Sequence, residues 1–219
     1  MSDYKSVSEL AFEKEVINYL TTIGGVKQWE YMDNIKTTDQ LWDNFKVILE
    51  QNNRARMDES LTTTEFNQVK KIISNIDSPY HAGQFLYGVN GVSEIEVDLD
   101  NGKHVFLTVF DQAQVGGGNT VYQVVNQIER PKVVDGKPNR RFDVTLLING
   151  LPIIQIELKK ALHTTTESLN QMEQYIAEKQ YSGIFSTLQI LIAMTPHDIR
   201  YMANTEIGNF NRAFAFNWQ

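Results

Sequence analysis

Arg141-Phe142-Asp143-Val144-Thr145-Leu146-Leu147-Ile148-Asn149-Gly150-Leu151-Pro152-Ile153-Ile154-Gln155-Ile156-Glu157-Leu158-Lys159-Lys160 holds two apolar, β-type runs that meet at Asn149-Gly150. Asn-Gly between such runs is the strongest short-range hairpin signal, because both residues accept the positive φ of a tight turn. Side chains alternate along a strand, so Ile154, Ile156 and Leu158 share one face and Gln155, Glu157 and Lys159 the other. A carboxylate and an ammonium thus emerge side by side from a strand that otherwise reads as buried. Asp143, at the start of the partner strand, supplies a second carboxylate. Two carboxylates suit a hard divalent cation such as Mg²⁺, and an adjacent lysine suits a phosphate or an activated water.

Register decides whether these groups meet. With Asn149-Gly150 as a two-residue loop, Ile148 pairs with Leu151 and Asp143 falls opposite Ile156, facing away from Glu157. A common site needs a shift of one residue. A three-residue loop of Ile148-Asn149-Gly150 with Gly150 left-handed and bulged, a loop of Asn149-Gly150-Leu151, or a bulge near Pro152 would each supply it.

The chain has 219 residues and a mass of 25.1 kDa. A chain of this length buries roughly 70% of its unfolded surface and needs no disulfide or zinc site to fold. It has no cysteine, which excludes thiol nucleophiles, disulfide frameworks and cysteine-ligated zinc. Met1-Ser2-Asp3-Tyr4-Lys5 lacks the apolar core of a signal peptide, and no apolar run reaches membrane-spanning length. The expectation is a soluble, cytoplasmic protein with no membrane partner. No G-x-x-x-x-G-K-[ST] occurs, so no P-loop ATP site is expected. The net charge of −7 opposes autonomous tight DNA binding, since neutralisation of phosphates dominates such affinity. The charge is uneven, however. Arg130, Lys132, Lys137, Arg140 and Arg141 cluster just before Asp143, opposed there by Asp135. Alone, the cluster reads as a solvated loop; next to a metal site, it reads as a contact for DNA phosphates.

Residues 1–77 read as mainly helical. Ser6-Val7-Ser8-Glu9 has capping-box spacing and precedes an apolar arc of Leu10, Phe12, Val16, Ile17, Tyr19, Leu20 and Ile23, ended by Gly24-Gly25. Further helices are expected over 38–52 and 63–76, the latter opened by Thr62-Thr63-Thr64-Glu65. Residues 78–219 read as α/β. Runs 92–99 and 103–110 flank Asp100-Asn101-Gly102 as a hairpin, 121–128 is a strand, and the Asp143 hairpin follows the basic loop. Thr164-Thr165-Thr166-Glu167 opens a helix with Leu169, Met172 and Ile176 inward, and Gln171 and Tyr175 adjacent at i, i+4. Strands over 188–194 and 198–203 close the chain, and there is no internal repeat. On a helical wheel Glu13 falls inside the first apolar arc, where a carboxylate without a partner is costly; Glu9, one turn earlier, has helix capping as a competing role. Asp111 reads as a turn residue and Gly116-Gly117-Gly118 as a flexible connection. His81, His104, His163 and His197 show no metal-ligand spacing.

Asp143, a hairpin, Glu157-x-Lys159 and a helix with Gln171-x-x-x-Tyr175 together resemble the PD-(D/E)xK nuclease core in its RecB-like form. More narrowly, the chain resembles the N-terminal nuclease domain of the R (restriction) subunit of type I restriction-modification enzymes. The phrases that carry this are Val124-Val125-Asn126-Gln127, Arg140-Arg141-Phe142-Asp143-Val144, Ile148-Asn149-Gly150-Leu151-Pro152 and Ile156-Glu157-Leu158-Lys159, followed by Asn170-Gln171 and Tyr175. A weaker match runs from the first helix to Phe216-Asn217-Trp218. Phe142 stands where the family has proline, a position that shapes strand entry and supplies no ligand.

The resemblance implies an α/β, restriction-endonuclease-like core with a helical N-terminal portion, its mixed sheet of about five or six strands flanked by helices. It implies a single nuclease domain over 1–219, without the helicase-like motor domains into which R subunits continue. The implied activity is hydrolysis of phosphodiester bonds in double-stranded DNA, dependent on Mg²⁺ with Mn²⁺ as a substitute. Asp143 and Glu157 would bind the cation, helped by the Leu158 carbonyl. Lys159 would position or activate the attacking water, and Gln171 and Tyr175 would orient the lysine or the DNA backbone. Glu13 would be the upstream helical carboxylate that members of this fold often add. Implied partners are double-stranded DNA, the motor domains of the same subunit, and the methylase and specificity subunits. A non-catalytic docking module that keeps the nuclease fold is the rival from another class, favoured by the acidic charge and opposed by the intact Asp/Glu/Lys set. A stand-alone repair or junction nuclease is a second rival, disfavoured by the matched phrases.

Overall fold

Apolar spacing and capping residues build the first part of the chain as helices. In the computed structural model, which describes residues 8–22 and 29–218, these are α1 (Glu9–Thr22), α2 (Thr38–Asn52) and α3 (Thr63–Ser74). Thr37 with Gln40 and Thr62 with Glu65 form reciprocal capping boxes on α2 and α3, each cap contributing about 1 kcal/mol. α1 starts after Ser8, whose Oγ accepts the Ala11 N–H at 3.2 Å. Ser6 and Val7 of the expected capping box, Ile23 and the Gly24-Gly25 stop lie outside the described residues. The buried stripe of α1 is narrower than its apolar arc. Phe12, Glu13, Val16 and Ile17 are buried, whereas Leu10 and Tyr19, at the two edges of the arc, are exposed. α4 (Pro79–Tyr87) adds to the expected helices, N-capped by Ser78 with proline in its first turn.

β1 (Glu30–Tyr31), β4 (Tyr122–Arg130), β5 (Arg140–Ile148), β6 (Leu151–Leu158), β7 (Ile190–Met194), β8 (Ile199–Ala203) and β9 (Phe216–Asn217) form one sheet. The strand order is β1-β4-β5-β6-β7-β8-β9. β1–β4 and β6–β7 pair parallel and the remaining neighbours antiparallel, so the sheet is mixed. It has seven strands rather than five or six because β1 and β9 add edges of 2 residues each. β2 (Val92–Asp98) and β3 (His104–Asp111) pair with each other as a separate two-stranded sheet. α5 (Thr165–Ala177) lies in the crossover from β6 to its parallel neighbour β7.

Alternation along the central strands divides the core. Val124, Val144, Leu146, Ile156 and Leu158 pack with Phe12, Val16 and Ile17 of α1. Val125, Leu147 and Leu151 turn to the other face, with α2, α3 and the β2–β3 hairpin. α5 lays Leu169 and Met172 on Leu191, Ala193 and Met202. Covered on both sides, β5 and β6 are buried almost throughout, which is why they read as near-continuous apolar runs.

Asn149 and Gly150 form a two-residue turn with φ of 50° and 80°. Ile148 pairs with Leu151 and Leu147 with Pro152, but Leu146 then pairs with Ile154. Ile153 is a bulge next to the proline, which has no N–H to give to the ladder. The bulge shifts the register by one, so that Thr145 faces Gln155, Val144 faces Ile156, and the next step sets Asp143 opposite Glu157. Of the routes open to the sequence, a bulge near Pro152 is the one taken. Gly150 has a second constraint, since a Cβ there would lie 2.8 Å from Phe45 Cα.

A second irregularity lies on β4. Asn126 pairs with Val144 and Ile128 with Phe142, which puts Gln127 opposite Asp143, and Gln127 has a left-handed φ of 56°. Strict alternation would set Phe142 beside Val144, against α1. Phe142 packs instead with Tyr175 and Phe185, at ring-centroid distances of 5.0 and 4.9 Å, on the opposite face. The β4–β5 pair therefore turns over across Gln127 and Asp143.

Candidate active site

The ladder between β5 and β6 ends at Val144 and Ile156. One step on, where the strands separate, Asp143 Oδ2 accepts the Leu158 N–H at 2.9 Å. A side chain thus takes up a backbone donor that the diverging strand no longer satisfies. Glu157 is 0% exposed. Its Oε1 lies 3.6 Å from Lys159 Nζ and 3.4 Å from the Tyr175 hydroxyl, while its Oε2 has no hydrogen-bond partner among the described residues. Gln171 Nε2 donates to the Tyr175 hydroxyl oxygen, leaving the tyrosine proton directed at Glu157. Asp143, Glu157, Lys159, Gln171 and Tyr175 are therefore brought together, from β5, the end of β6 and α5.

Burial sets the electrostatics. It pushes the Asp143 carboxyl up to about 6, against the pull of the Leu158 N–H and Lys159, with Glu9 and Glu13 adding to the rise. Burial also holds Glu157 well above the ordinary carboxylate range; Asp143 adds to this, and Lys159 and Tyr175 oppose it. The Tyr175 hydroxyl is raised by burial and then by Glu157, so it stays a donor. Two carboxyls in one dry space resist carrying two negative charges without a compensating cation.

Glu13, 4% exposed on α1, is near enough for its charge to be felt at Asp143. Its Oε1 accepts Asn126 Nδ2 at 2.6 Å and its Oε2 accepts Gln127 Nε2. Asn126 and Gln127 had no individual role in the sequence reading. The available signal was a pair of consecutive carboxamides in the otherwise apolar run Val124-Val125-Asn126-Gln127-Ile128.

The basic cluster is only partly a surface. Arg130 is 5% exposed, with its guanidinium 4.7 Å from the Phe185 ring centroid. It donates to the Gln180 carbonyl at 2.5 Å, the Ser182 carbonyl at 3.3 Å and Thr38 Oγ1 at 3.1 Å. It points inward beside Phe142 and serves packing rather than an exposed DNA contact. Arg140 grips Glu178 through Nε and Nη2 at 2.7 and 2.6 Å and lies over the Tyr175 ring. Lys132, Lys137 and Arg141 are exposed, and Lys132 Nζ is 3.4 Å from Asp135.

The remaining candidates have local roles. Asp111 Oδ1 accepts the Ala113 N–H at 2.9 Å in a turn. His81 and His163 each meet an acid one helical turn away at 2.6 Å, Asp77 and Glu167 respectively, and His104 lies 2.9 Å from Glu96. Among the described residues no group of three or more His, Asp or Glu is arranged to hold a metal ion. No helix of the described residues is long and apolar enough to cross a membrane.

Residues 6–210 match the family model described as type I restriction enzyme R protein N terminus. Over 212 residues the chain is 30% identical to the Type I restriction enzyme SsaAORF53P endonuclease subunit of Staphylococcus saprophyticus, covering 96% of this chain and 21% of that protein. Over 200 residues it is 30% identical to the SauMSSORF170P endonuclease subunit of Staphylococcus aureus strain MSSA476, covering 91% and 20%. A shorter match of 99 residues at 39% identity joins it to the EcoprrI endonuclease subunit of Escherichia coli, covering 44% and 30%. The chain spans about a fifth of the length of the staphylococcal relatives. By a match that runs over nearly all of its length, the chain belongs to the type I restriction enzyme R protein N-terminal family.

Proposed function

We propose that this chain is the Mg²⁺-dependent endonuclease domain of a type I restriction enzyme R subunit, of the PD-(D/E)xK class, hydrolysing phosphodiester bonds of double-stranded DNA. The observation that carries this reading is the meeting of Asp143 and Glu157 where β5 and β6 part, with Lys159 Nζ 3.6 Å from Glu157. The residues fit a hard divalent cation. Two buried carboxyls face one another, and Glu157 Oε2 is buried without a hydrogen-bond partner among the described residues. Asp143, Glu157 and the Leu158 carbonyl would hold the ion, which when bound supplies positive charge beside the scissile phosphate and eases attack by water.

The chain's own groups do the positioning. Lys159, drawn toward Glu157, directs its remaining N–H bonds at the phosphate or the attacking water and neutralises charge that builds up there. Tyr175, braced by Gln171, holds Glu157 from the core side. Glu13, whose charge is felt at Asp143, would act from α1 on the field around the site rather than as a third ligand. Lys132, Lys137 and Arg141 are the exposed cations that remain for the DNA backbone. Motor domains of the same subunit, and methylase and specificity subunits, are the partners this reading implies.

Calorimetry with Mn²⁺ tests the site: one binding event is expected, abolished by Asp143→Ala and by Glu157→Ala. Unchanged binding in both variants would sink the proposal. With net charge −7, these 219 residues by themselves should cleave linear DNA poorly at physiological salt. The second reading is a docking module without catalysis, favoured by the burial of Arg130 and the engagement of Arg140 by Glu178. Metal-dependent loss of plasmid supercoiling, absent in Lys159→Ala, separates the two.

A further inference from the structure

We propose that Asn126 and Gln127 are positioning residues that aim Glu13 at the Asp143–Glu157 site, and that the left-handed backbone of Gln127 exists to make this possible. The inference rests on the metal-site reading above. Among the described residues, four non-glycine residues have positive φ: Asn90, Gln127, Asn149 and Lys179. Asn90 and Asn149 sit in turns and Lys179 just past the end of α5, where this conformation is common. Gln127 stands inside a strand, and glutamine has none of asparagine's ease in that region. Strained backbone of this kind persists where the surroundings use it.

The use is visible in the hydrogen bonds. Consecutive residues of a regular strand point to opposite faces. Asn126 and Gln127 nevertheless both donate to one carboxylate, Asn126 Nδ2 to Glu13 Oε1 at 2.6 Å and Gln127 Nε2 to Oε2. Only the kink lets two neighbouring side chains converge. The Asn126 carboxamide is itself locked in orientation. Its Oδ1 accepts from the Tyr31 hydroxyl at 2.9 Å and from Lys36 Nζ, which also reaches the Asn126 carbonyl at 3.0 Å. With its oxygen taken by two donors, the amide nitrogen is turned to Glu13. Both oxygens of Glu13 are thus fixed by residues of β4 that lie next to and across from Asp143, through the register Asn126↔Val144 and Ile128↔Phe142.

The experiment uses the 219-residue chain with two readouts, the melting temperature in EDTA and Mn²⁺ affinity by calorimetry. Gln127→Gly suits the backbone and removes the carboxamide; Gln127→Asn suits the backbone and keeps one. Gln127→Gly should melt at or above the wild-type temperature yet bind Mn²⁺ about tenfold more weakly, and Gln127→Asn should stay within about threefold. Glu13→Gln should also weaken binding about tenfold, with no further loss in the double variant, because Gln127 acts through Glu13. Wild-type Mn²⁺ affinity in Gln127→Gly overturns the proposal, as do additive losses in the double variant. A lower melting temperature of Gln127→Gly in EDTA marks a structural support and counts against it. In each of those cases loss of binding in Asp143→Ala leaves the metal-site reading standing. A wild-type chain that binds no Mn²⁺ removes both.

Discussion

The two ends of the β5–β6 hairpin are made from the same pair of strands by opposite rules. At the turn the Asn149 side chain is matched at both ends. The Asn149 carboxamide donates to the Val109 carbonyl and accepts the Val121 N–H, each at 2.9 Å, and Gly150 presses against Phe45. At the open end two carboxyls share a buried space, and one of their oxygens has no partner among the described residues. The first end holds the fold together; the second weakens it, and on the proposed reading a bound cation would supply the compensation. Buried groups with strongly displaced titration are typical of sites that act on something. The contrast separates residues that stabilise from residues that work, within one hairpin.

The largest effect that could break this contrast is on metal binding. Asp143→Ala and Glu157→Ala should each remove the Mn²⁺ binding heat altogether, whereas Asn149→Ala, at the turn, should leave the affinity of the folded protein unchanged. Next is stability at the turn. Gly150→Ala forces a side chain onto φ of 80° with its Cβ 2.8 Å from Phe45 Cα, and urea unfolding should register a loss of about 3 kcal/mol.

The open end should respond in the reverse direction. The folded-state value of about 6 for Asp143 lies above the ordinary 3.8, so the folded protein holds this proton more tightly than the unfolded chain. Its effect is absent below about pH 4, and stability is lost as pH rises from about 4 to about 6, on the order of 3 kcal/mol. Asp143→Asn keeps an acceptor for the Leu158 N–H and cannot ionise. In EDTA it should therefore be more stable than wild type at pH 7.5, with the gap closing by pH 4 in paired urea titrations. The smallest effect belongs to the basic loop. Lys132→Ala, at an exposed pair with Asp135, should shift stability by less than about 0.5 kcal/mol in the same assay.

Much of this was legible in the chain. Asn149-Gly150 announced the turn, and counting residues back from it required a one-residue shift if Asp143 and Glu157 were to meet; the Ile153 bulge beside Pro152 supplies it. Ser78-Pro79 carried a helix-start signal for α4 that apolar spacing alone does not reveal. β1 and β9, at 2 residues each, are too short to have a period. Other features were not legible because they break the alternation on which strand reading depends. Phe142 changes faces where β4 turns left-handed at Gln127. Arg130 reads as one more cation in a basic window, but its position on β4 points it at Phe185 and the carbonyls of Gln180 and Ser182. Composition carries no information about that direction.

The bulge at Ile153 also decides how the hairpin tolerates changes in length. Between the turn and the two carboxylates, the arm Leu151–Glu157 is one residue longer than the arm Asp143–Ile148, and Ile153 absorbs the surplus. Loss of Ile153 would equalise the arms and leave Asp143 and Glu157 opposed. Loss of one residue from the Asp143 arm would instead leave two surplus residues on the other, more than a single bulge accommodates. Variation in length is thus permitted asymmetrically, and relatives that differ by one residue here should differ on the β6 side of the turn.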